Sequence, residues 1–382
     1  MLSIADRPYR FECDSSRYNH QTGERTVPWD SQSKEYPAHA QWHADSLVSD
    51  STQRKPPEVG HGTNWLLGEG RQLREYIRVA RLGHWTKNVF VLPGALAAAW
   101  LAQPIGRDGI VRLAAALLAT CLAASANYVI NEWLDAGSDA YHPLKNSRPA
   151  VRGAVTVQGI LVEYVILALG AIALGLYVSP GVTWTIVALM VMGLAYNVPP
   201  VRLKDRVYAD VLSESVNNAL RLLIGWFAVT SAYWPPVSLV VGYWMGGAYL
   251  MAVKRLAEYR MIGDPERAAR YRRSFAKYTE ASLIISAMLY AMMATFLLGT
   301  FLIKYRIEYV LAMPALWGLF CWYLVLGFRE GSVAQRPESL FRETGLILCV
   351  VALVLAILVL TFVDIPVIQS LANPDLIKIG SW

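Results

Sequence analysis

The 382-residue chain predicts an all-α fold, a multi-pass membrane bundle of about nine transmembrane helices. Three observations carry this. The sequence is 55% hydrophobic and only 17% charged, too apolar for a soluble domain of its length. Apolar runs of roughly twenty residues recur along it. Its Lys and Arg residues fall in alternate connecting loops rather than evenly.

Residues 1–62 are the exception to this apolarity: polar, rich in Ser, Asp, Arg, Gln and Pro, and without an apolar run long enough for a signal peptide. They predict a disordered cytosolic tail. The tail holds His20, His39, His43 and His61, whose irregular spacing without Cys partners favours solvated histidines over a metal site. Over residues 63–87, Leu73, Tyr76, Ile77, Val79 and Leu82 alternate with Arg71, Arg74, Arg78 and Arg81 at helical spacing. This predicts an amphipathic helix, lying at the membrane interface or packed as a floor beneath the bundle.

The catalytic membrane domain is expected over 88–365, with spans near 88–104, 111–134, 155–178, 182–199, 210–231, 236–254, 281–303, 309–328 and 344–364, and a short tail over 366–382. With the N-terminus inside, one side receives 22 Lys and Arg residues and the other five. That asymmetry places the more basic loops in the cytosol. A net charge of +6 therefore reads as membrane topology and contact with the lipid bilayer, with no nucleic acid implied. Most of the basic residues of 254–277 are expected to act as topology anchors drawn to anionic lipid. Cys13, Cys121, Cys321 and Cys349 show no ligand spacing and imply no disulfide framework. The sequence fixes no oligomeric state, and homo-oligomer formation is compatible with it.

Chemistry is concentrated where the second span ends. Asn127, Asn131, Asp135 and Asp139 are spaced four apart, so a helix aligns their oxygens on one face. Hard oxygen donors of this kind suit Mg²⁺, which completes its shell with substrate phosphates. Lys145 and Arg148 follow closely and can take up remaining phosphate charge. The fifth span carries Asp210, Glu214, Asn217, Asn218 and Arg221 within an apolar segment. Such groups are costly in a membrane unless they face a polar cavity or pair with one another, as in a Glu214–Arg221 or Glu214–Asn218 network. Lys254, Arg255 and Glu258, at the end of the sixth span, are expected to line the site.

From Asn131 to Pro149 the sequence resembles the NDxxDxxxD element of the UbiA superfamily of intramembrane prenyltransferases, with Glu132 at the first acidic position. Asp139, His142, Pro143, Lys145, Arg148 and Pro149 are similar to the DxxHPxKxxRP run of its decaprenyl-phosphate phosphoribosyltransferase branch. Trp85, Lys87 and Asn88 resemble that branch's WxKN entrance. Lys254, Arg255 and Glu258, followed by Tyr278 and Thr279, resemble its KRxAE and YT elements. The resemblance covers about residues 75–365 and implies a nine-helix bundle. Asp135 and Asp139 would be metal ligands, with Asn131 and the longer-armed Glu132 beside them. Lys87, Asn88, Asn127, Lys204, Asp210, Arg221, Lys254, Arg255 and Tyr278 would contact substrate.

The implied reaction is Mg²⁺-dependent transfer of 5-phosphoribosyl from phosphoribosyl pyrophosphate to a polyprenyl phosphate, at the bacterial inner membrane with the site facing the cytosol. Prenyltransferases that ionise a prenyl pyrophosphate pair the first acidic motif with a second. Here Lys254 stands where that second motif would start, which suits a donor carrying an additional phosphate. An aromatic prenyltransferase of the same superfamily is the first alternative. A lipid transporter is the second, although no internal repeat supports it.

Overall fold

The computed structural model describes residues 69–139, 146–329 and 343–371. The histidine-bearing tail, His142, Lys145 and the end of the chain from residue 372 lie outside them. The described residues form twelve α-helices joined by short 3₁₀ segments, with no strand among them. In chain order these are α1 (Glu69–Val79), α2 (Leu92–Leu101), α3 (Arg107–Asp139), α4 (Val157–Val178), α5 (Pro180–Asn197), α6 (Ala209–Val229) and α7 (Val237–Ile262). There follow α8 (Pro265–Tyr271), α9 (Glu280–Tyr305), α10 (Met313–Phe328), α11 (Thr344–Phe362) and α12 (Pro366–Leu371).

All nine predicted spans contain helix, but only seven segments among the described residues are long and apolar enough to cross a membrane alone. The two exceptions have physical causes. The expected span at 88–104 is split into a 3₁₀ stretch, Leu82–Val91, and the ten-residue α2 with Pro93 in its first turn. Ten helical residues rise about 15 Å, half a bilayer core. The helix α6 has the length, but Asp210, Glu214 and Arg221 make it too polar.

Local chemistry sets the boundaries. Thr156 and Ser179 cap α4 and α5 by accepting from Gly159 N and Val182 N, both at 3.2 Å. Thr279 and Ser282 form a reciprocal capping box at α9. Gly263 ends α7 with a left-handed φ of 69°. Two helices outrun their expected spans. At 33 residues, α3 extends to Asp139, and α7 extends to Ile262, so both candidate motifs sit on rigid helix rather than in loops.

Small residues bring the helices together. One core joins α3, α4, α5 and α6 through Ala116, Ala119, Ala123, Ala171, Ile186 and Ile224. A second joins α7, α9 and α10 through Ala248, Ala252, Ala287, Ala294 and Leu326. The half-span α2 lies directly on α6: a Cβ at Gly94 would sit 1.8 Å from Leu222 O, and one at Gly225 1.9 Å from Val91 O. Tyr76 and Val79 of α1 pack with Val129, Val155 and Ile160, while Leu73 and Ile77 on the same helix remain exposed. Large apolar residues such as Phe296 and Trp184 are exposed along the helices, as a lipid-facing surface requires.

Candidate active site

A cavity of about 1970 Å³ opens between the two cores. At one end it is walled by Asn127, Asn131 and Asp135 of α3, Arg148, Lys204, Glu214 of α6 and Lys254, Arg255 and Glu258 of α7. Elsewhere its lining is apolar, an arm formed by Leu298, Leu316, Leu319, Phe320, Leu346 and Val350. Ten basic side chains line it, namely Arg81, Lys87, Arg148, Lys204, Arg221, Lys254, Arg255, Arg267, Arg270 and Arg272. Three acidic ones do, Asp135, Glu214 and Glu258.

The helix α3 aligns its polar face as the four-residue spacing requires. Lys204, in the 3₁₀ turn Leu203–Asp205, ion-pairs with Asp135, donates to Asn197 Oδ1 at 3.0 Å and approaches Asn131 Oδ1 at 3.4 Å. Burial pushes its ammonium below the usual lysine range, against the opposing pull of Asp135. Arg202 reaches Asp135 from the same turn at 3.4 Å. Asn127 donates to Leu189 O at 3.0 Å, and its amide oxygen is buried without a partner. Asp139 is buried against Arg148, with which it forms an ion pair.

Glu132 lies off this face. Its carboxylate is buried and held by Arg81 at 2.8 and 3.2 Å, 51 residues earlier in the chain. Among the described residues no three His, Cys, Asp or Glu side chains assemble as a ready metal cage. The donor set at the cavity wall is instead one carboxylate, Asp135, with the amide oxygens of Asn127 and Asn131, one of them orphaned. Hard oxygens few in number fit Mg²⁺, which retains water and takes substrate phosphate oxygens as its remaining ligands.

The opposite wall is an ion-pair network. Arg255 is almost fully buried and contacts Glu214 at 2.5 Å, Glu258 at 2.8 Å and Asp210 at 3.4 Å. Lys254 lies 3.8 Å from Glu214. Neither pairing expected for Glu214 forms, because Arg221 turns to Asn88 and Asn218 instead. Asp210 is fully buried behind the wall and accepts from Tyr278 Oη at 2.8 Å, Ser274 Oγ at 3.1 Å and Arg272 at 3.2 Å. Tyr278 is thus a support for Asp210, and neither residue lines the cavity. Asn88 is buried, donating to Cys121 Sγ at 3.1 Å, while Lys87 lines the cavity.

The basic loop differs most from expectation. Asp264 caps α8 by accepting from Glu266 N and Arg267 N, and Ala268, Phe275 and Tyr278 pack on Leu256 and Leu283. This folds the loop over the cavity, so Arg267, Arg270, Tyr271 and Arg272 form part of its wall rather than serving only as topology anchors. Burial holds the Tyr271 phenol up to about 12, leaving a neutral donor. Sequence reasoning also missed Arg81, His84 and Tyr128, which line the cavity together, with the Arg81 guanidinium 5.6 Å from the Tyr128 ring centroid. The only local signal for them was the amphipathic pattern that ended at Arg81.

A helical membrane bundle that encloses a cation-rich cavity beside an acidic helix end can hold an anionic substrate within the membrane. The sequence model of the UbiA prenyltransferase family matches residues 91–346, and the chain belongs to that family. It is similar to the decaprenyl-phosphate phosphoribosyltransferase of Mycobacterium tuberculosis, at 27% identity over 210 residues, 54% of this chain and 67% of that protein. The Corynebacterium glutamicum protein of the same name is 28% identical over 244 residues, 62% of this chain and 66% of that protein. A lycopene elongase/hydratase of Haloarcula japonica is 34% identical over 125 residues, 31% of this chain and 39% of that one. Among solved structures, a UbiA homologue from Archaeoglobus fulgidus bound to GPP and Mg²⁺ superposes with a TM-score of 0.57 at 16% identity, over 75% of this chain and 99% of that one. A digeranylgeranylglyceryl phosphate synthase superposes at 0.53, also at 16% identity, over 75% and 98%. At that identity the likeness is one of fold.

Proposed function

We propose that the protein transfers 5-phosphoribosyl from phosphoribosyl pyrophosphate to a polyprenyl phosphate and releases pyrophosphate, with its site open to the cytosol across a bacterial inner membrane. The observation that carries this is the charge of the cavity: ten basic side chains against three acidic ones, continuous with an apolar arm. A donor with two phosphate-bearing positions and an acceptor with a third bring far more negative charge than a prenyl pyrophosphate with an aromatic acceptor. The names of the mycobacterial and corynebacterial relatives agree with this reading.

In this mechanism Asp135, Asn131 and Asn127 would hold Mg²⁺, with Asp139 one helical turn on. A Mg²⁺ held there would supply positive charge to the departing pyrophosphate. Lys204 and Arg148 flank that position and supply fixed positive charge without reorganisation at the moment of bond breaking. Lys254, with Arg267 and Arg270 of the folded loop, would receive the donor's other phosphate. An acceptor phosphate is already ionised near neutral pH, so no side chain need act as a strong general base. The folded loop and the apolar arm keep water from competing for the ribosyl centre.

The test is an assay of purified protein in Mg²⁺ with labelled phosphoribosyl pyrophosphate and polyprenyl phosphates of several lengths. Transfer of label to lipid with matching release of pyrophosphate is expected. Indifference to phosphoribosyl pyrophosphate, together with consumption of a prenyl pyrophosphate and an aromatic acceptor, would overturn it.

A further inference from the structure

Arg221 stands midway along α6, buried yet at the cavity wall. Its Nε donates to Asn88 Oδ1 at 3.0 Å and a terminal nitrogen to Asn218 Oδ1 at 3.3 Å. Both partners are neutral amides. No carboxylate among the described residues pairs with it, whereas every carboxylate lining the cavity is engaged elsewhere. Asp135 is held by Lys204 and Arg202, Glu214 by Arg255 and Lys254, and Glu258 by Arg255. A guanidinium on a membrane helix without a counter-anion is costly, and a cavity-facing one is compensated by an anionic ligand.

Its depth indicates which anion. Arg221 follows Glu214 by seven residues, two turns or about 10 Å further along the helix, away from the mouth where Asp135, Lys204 and Lys254 gather. The apolar arm opens on the same cavity. Beside Arg221, the Asn217 amide oxygen is buried without a partner, and an amide in that position can turn over to offer its NH₂.

We propose that Arg221, held in place by Asn88 behind it and flanked on the cavity wall by Asn217 and Asn218, forms a second anion subsite that holds the phosphate monoester head of the lipid acceptor on the membrane side of the donor. The proposal rests on the phosphoribosyl-transfer reading and assigns its two substrates to two levels of one cavity. The geometry suits the chemistry. An oxygen of the acceptor phosphate forms the new bond to ribose C1 as the bond from C1 to the pyrophosphate oxygen breaks. The bonding pair leaves with pyrophosphate, and no proton moves. Attack and departure on opposite sides of C1 require the nucleophile's anion site to lie apart from that of the leaving group. A single cluster of bases at the mouth could not provide that separation.

The experiment uses the full chain in detergent, without donor or Mg²⁺, and compares polyprenyl phosphate, the matching polyprenol and inorganic phosphate as thermal stabilisers. Wild type should be stabilised more by the lipid phosphate than by the alcohol, and not by phosphate alone. Arg221→Gln should abolish the preference for the phosphorylated head, on the order of tenfold or more in affinity, and Arg221→Lys should restore part of it. Affinity for phosphoribosyl pyrophosphate with Mg²⁺ should be unchanged in both. If Arg221→Gln does not fold, Asn218→Asp, which places a carboxylate beside the guanidinium, should remove the same preference. The proposal is overturned by a wild type with no head-group preference, by variants that keep it, or by equal loss of donor affinity. Equal stabilisation by inorganic phosphate would mark the site as a general anion hole and also overturn the acceptor assignment. A wild type that prefers lipid phosphate but never uses phosphoribosyl pyrophosphate would sink the transfer reading alone. Transfer with an unchanged lipid KM in Arg221→Gln would sink only this subsite.

Discussion

At the scale of single residues, two neighbouring carboxylates of one motif meet opposite fates. Asp135 faces the cavity and Glu132 turns to Arg81: three residues on a helix of 3.6 per turn leave the two side chains about 60° apart, enough to put one on the cavity wall and the other beside it. Asp135→Asn should therefore reduce turnover on the order of 10²-fold or more, the usual consequence of losing a charge-stabilising contact at a transferring group, and should raise the Mg²⁺ concentration needed for half-maximal rate. Glu132→Gln should leave that concentration unchanged and lower the thermal midpoint, because the half-buried Arg81 guanidinium loses its counter-charge. Kinetics at varied Mg²⁺ and a melting curve on both variants decide the matter. A Glu132→Gln protein with an altered Mg²⁺ requirement would return that carboxylate to the metal site. The spacing of Asn127, Asn131, Asp135 and Asp139 was legible because helical geometry is local. The pairing of Arg81 with Glu132, and of Lys204 with Asp135 across 69 residues, was not, because only tertiary packing brings them together.

At the scale of elements, the legible features were those with a local physical signature. The charged residues of the fifth span marked it as polar. The folded basic loop carried no such signature, since Arg267, Arg270 and Arg272 read the same whether they face lipid headgroups or a cavity. What folds the loop is Asp210, which holds Arg272, Ser274 and Tyr278 at once. Asp210→Asn should loosen residues 263–279 and speed limited proteolysis there while the spans stay protected, whereas an unchanged cleavage rate would mean that the apolar contacts of Phe275 suffice. The half-span α2 makes a separate demand on packing. Gly94→Leu would drive its side chain into the Leu222 backbone, and overpacking of this kind costs about 1–3 kcal/mol. Gly137→Ala meets open space on a helix and should gain roughly 0.5–1 kcal/mol. Melting of the two variants side by side checks the contrast.

For the whole molecule, the sequence carried the bundle and the sidedness of its charge, and the remaining question is which side of the membrane the cavity mouth faces. The ends of α9, Glu280 and Tyr305, are separated by 26 helical residues, about 39 Å of rise and enough to cross a bilayer core. Loop 262–272 and residue 305 must then lie on opposite sides. Because the loop belongs to the heavily basic side, a cysteine placed at 262–272 should react with an impermeant maleimide only from the cytosolic side, and one at 305 only from outside. The background needs the exposed Cys321 and the remaining cysteines replaced, so that the signal comes from the introduced thiol. Labelling of both positions from one side would show that α9 does not cross. Labelling of the loop from outside would invert the bundle and turn the cation-rich mouth away from the compartment where a phosphorylated sugar donor is made available, removing the topological support for the proposed reaction.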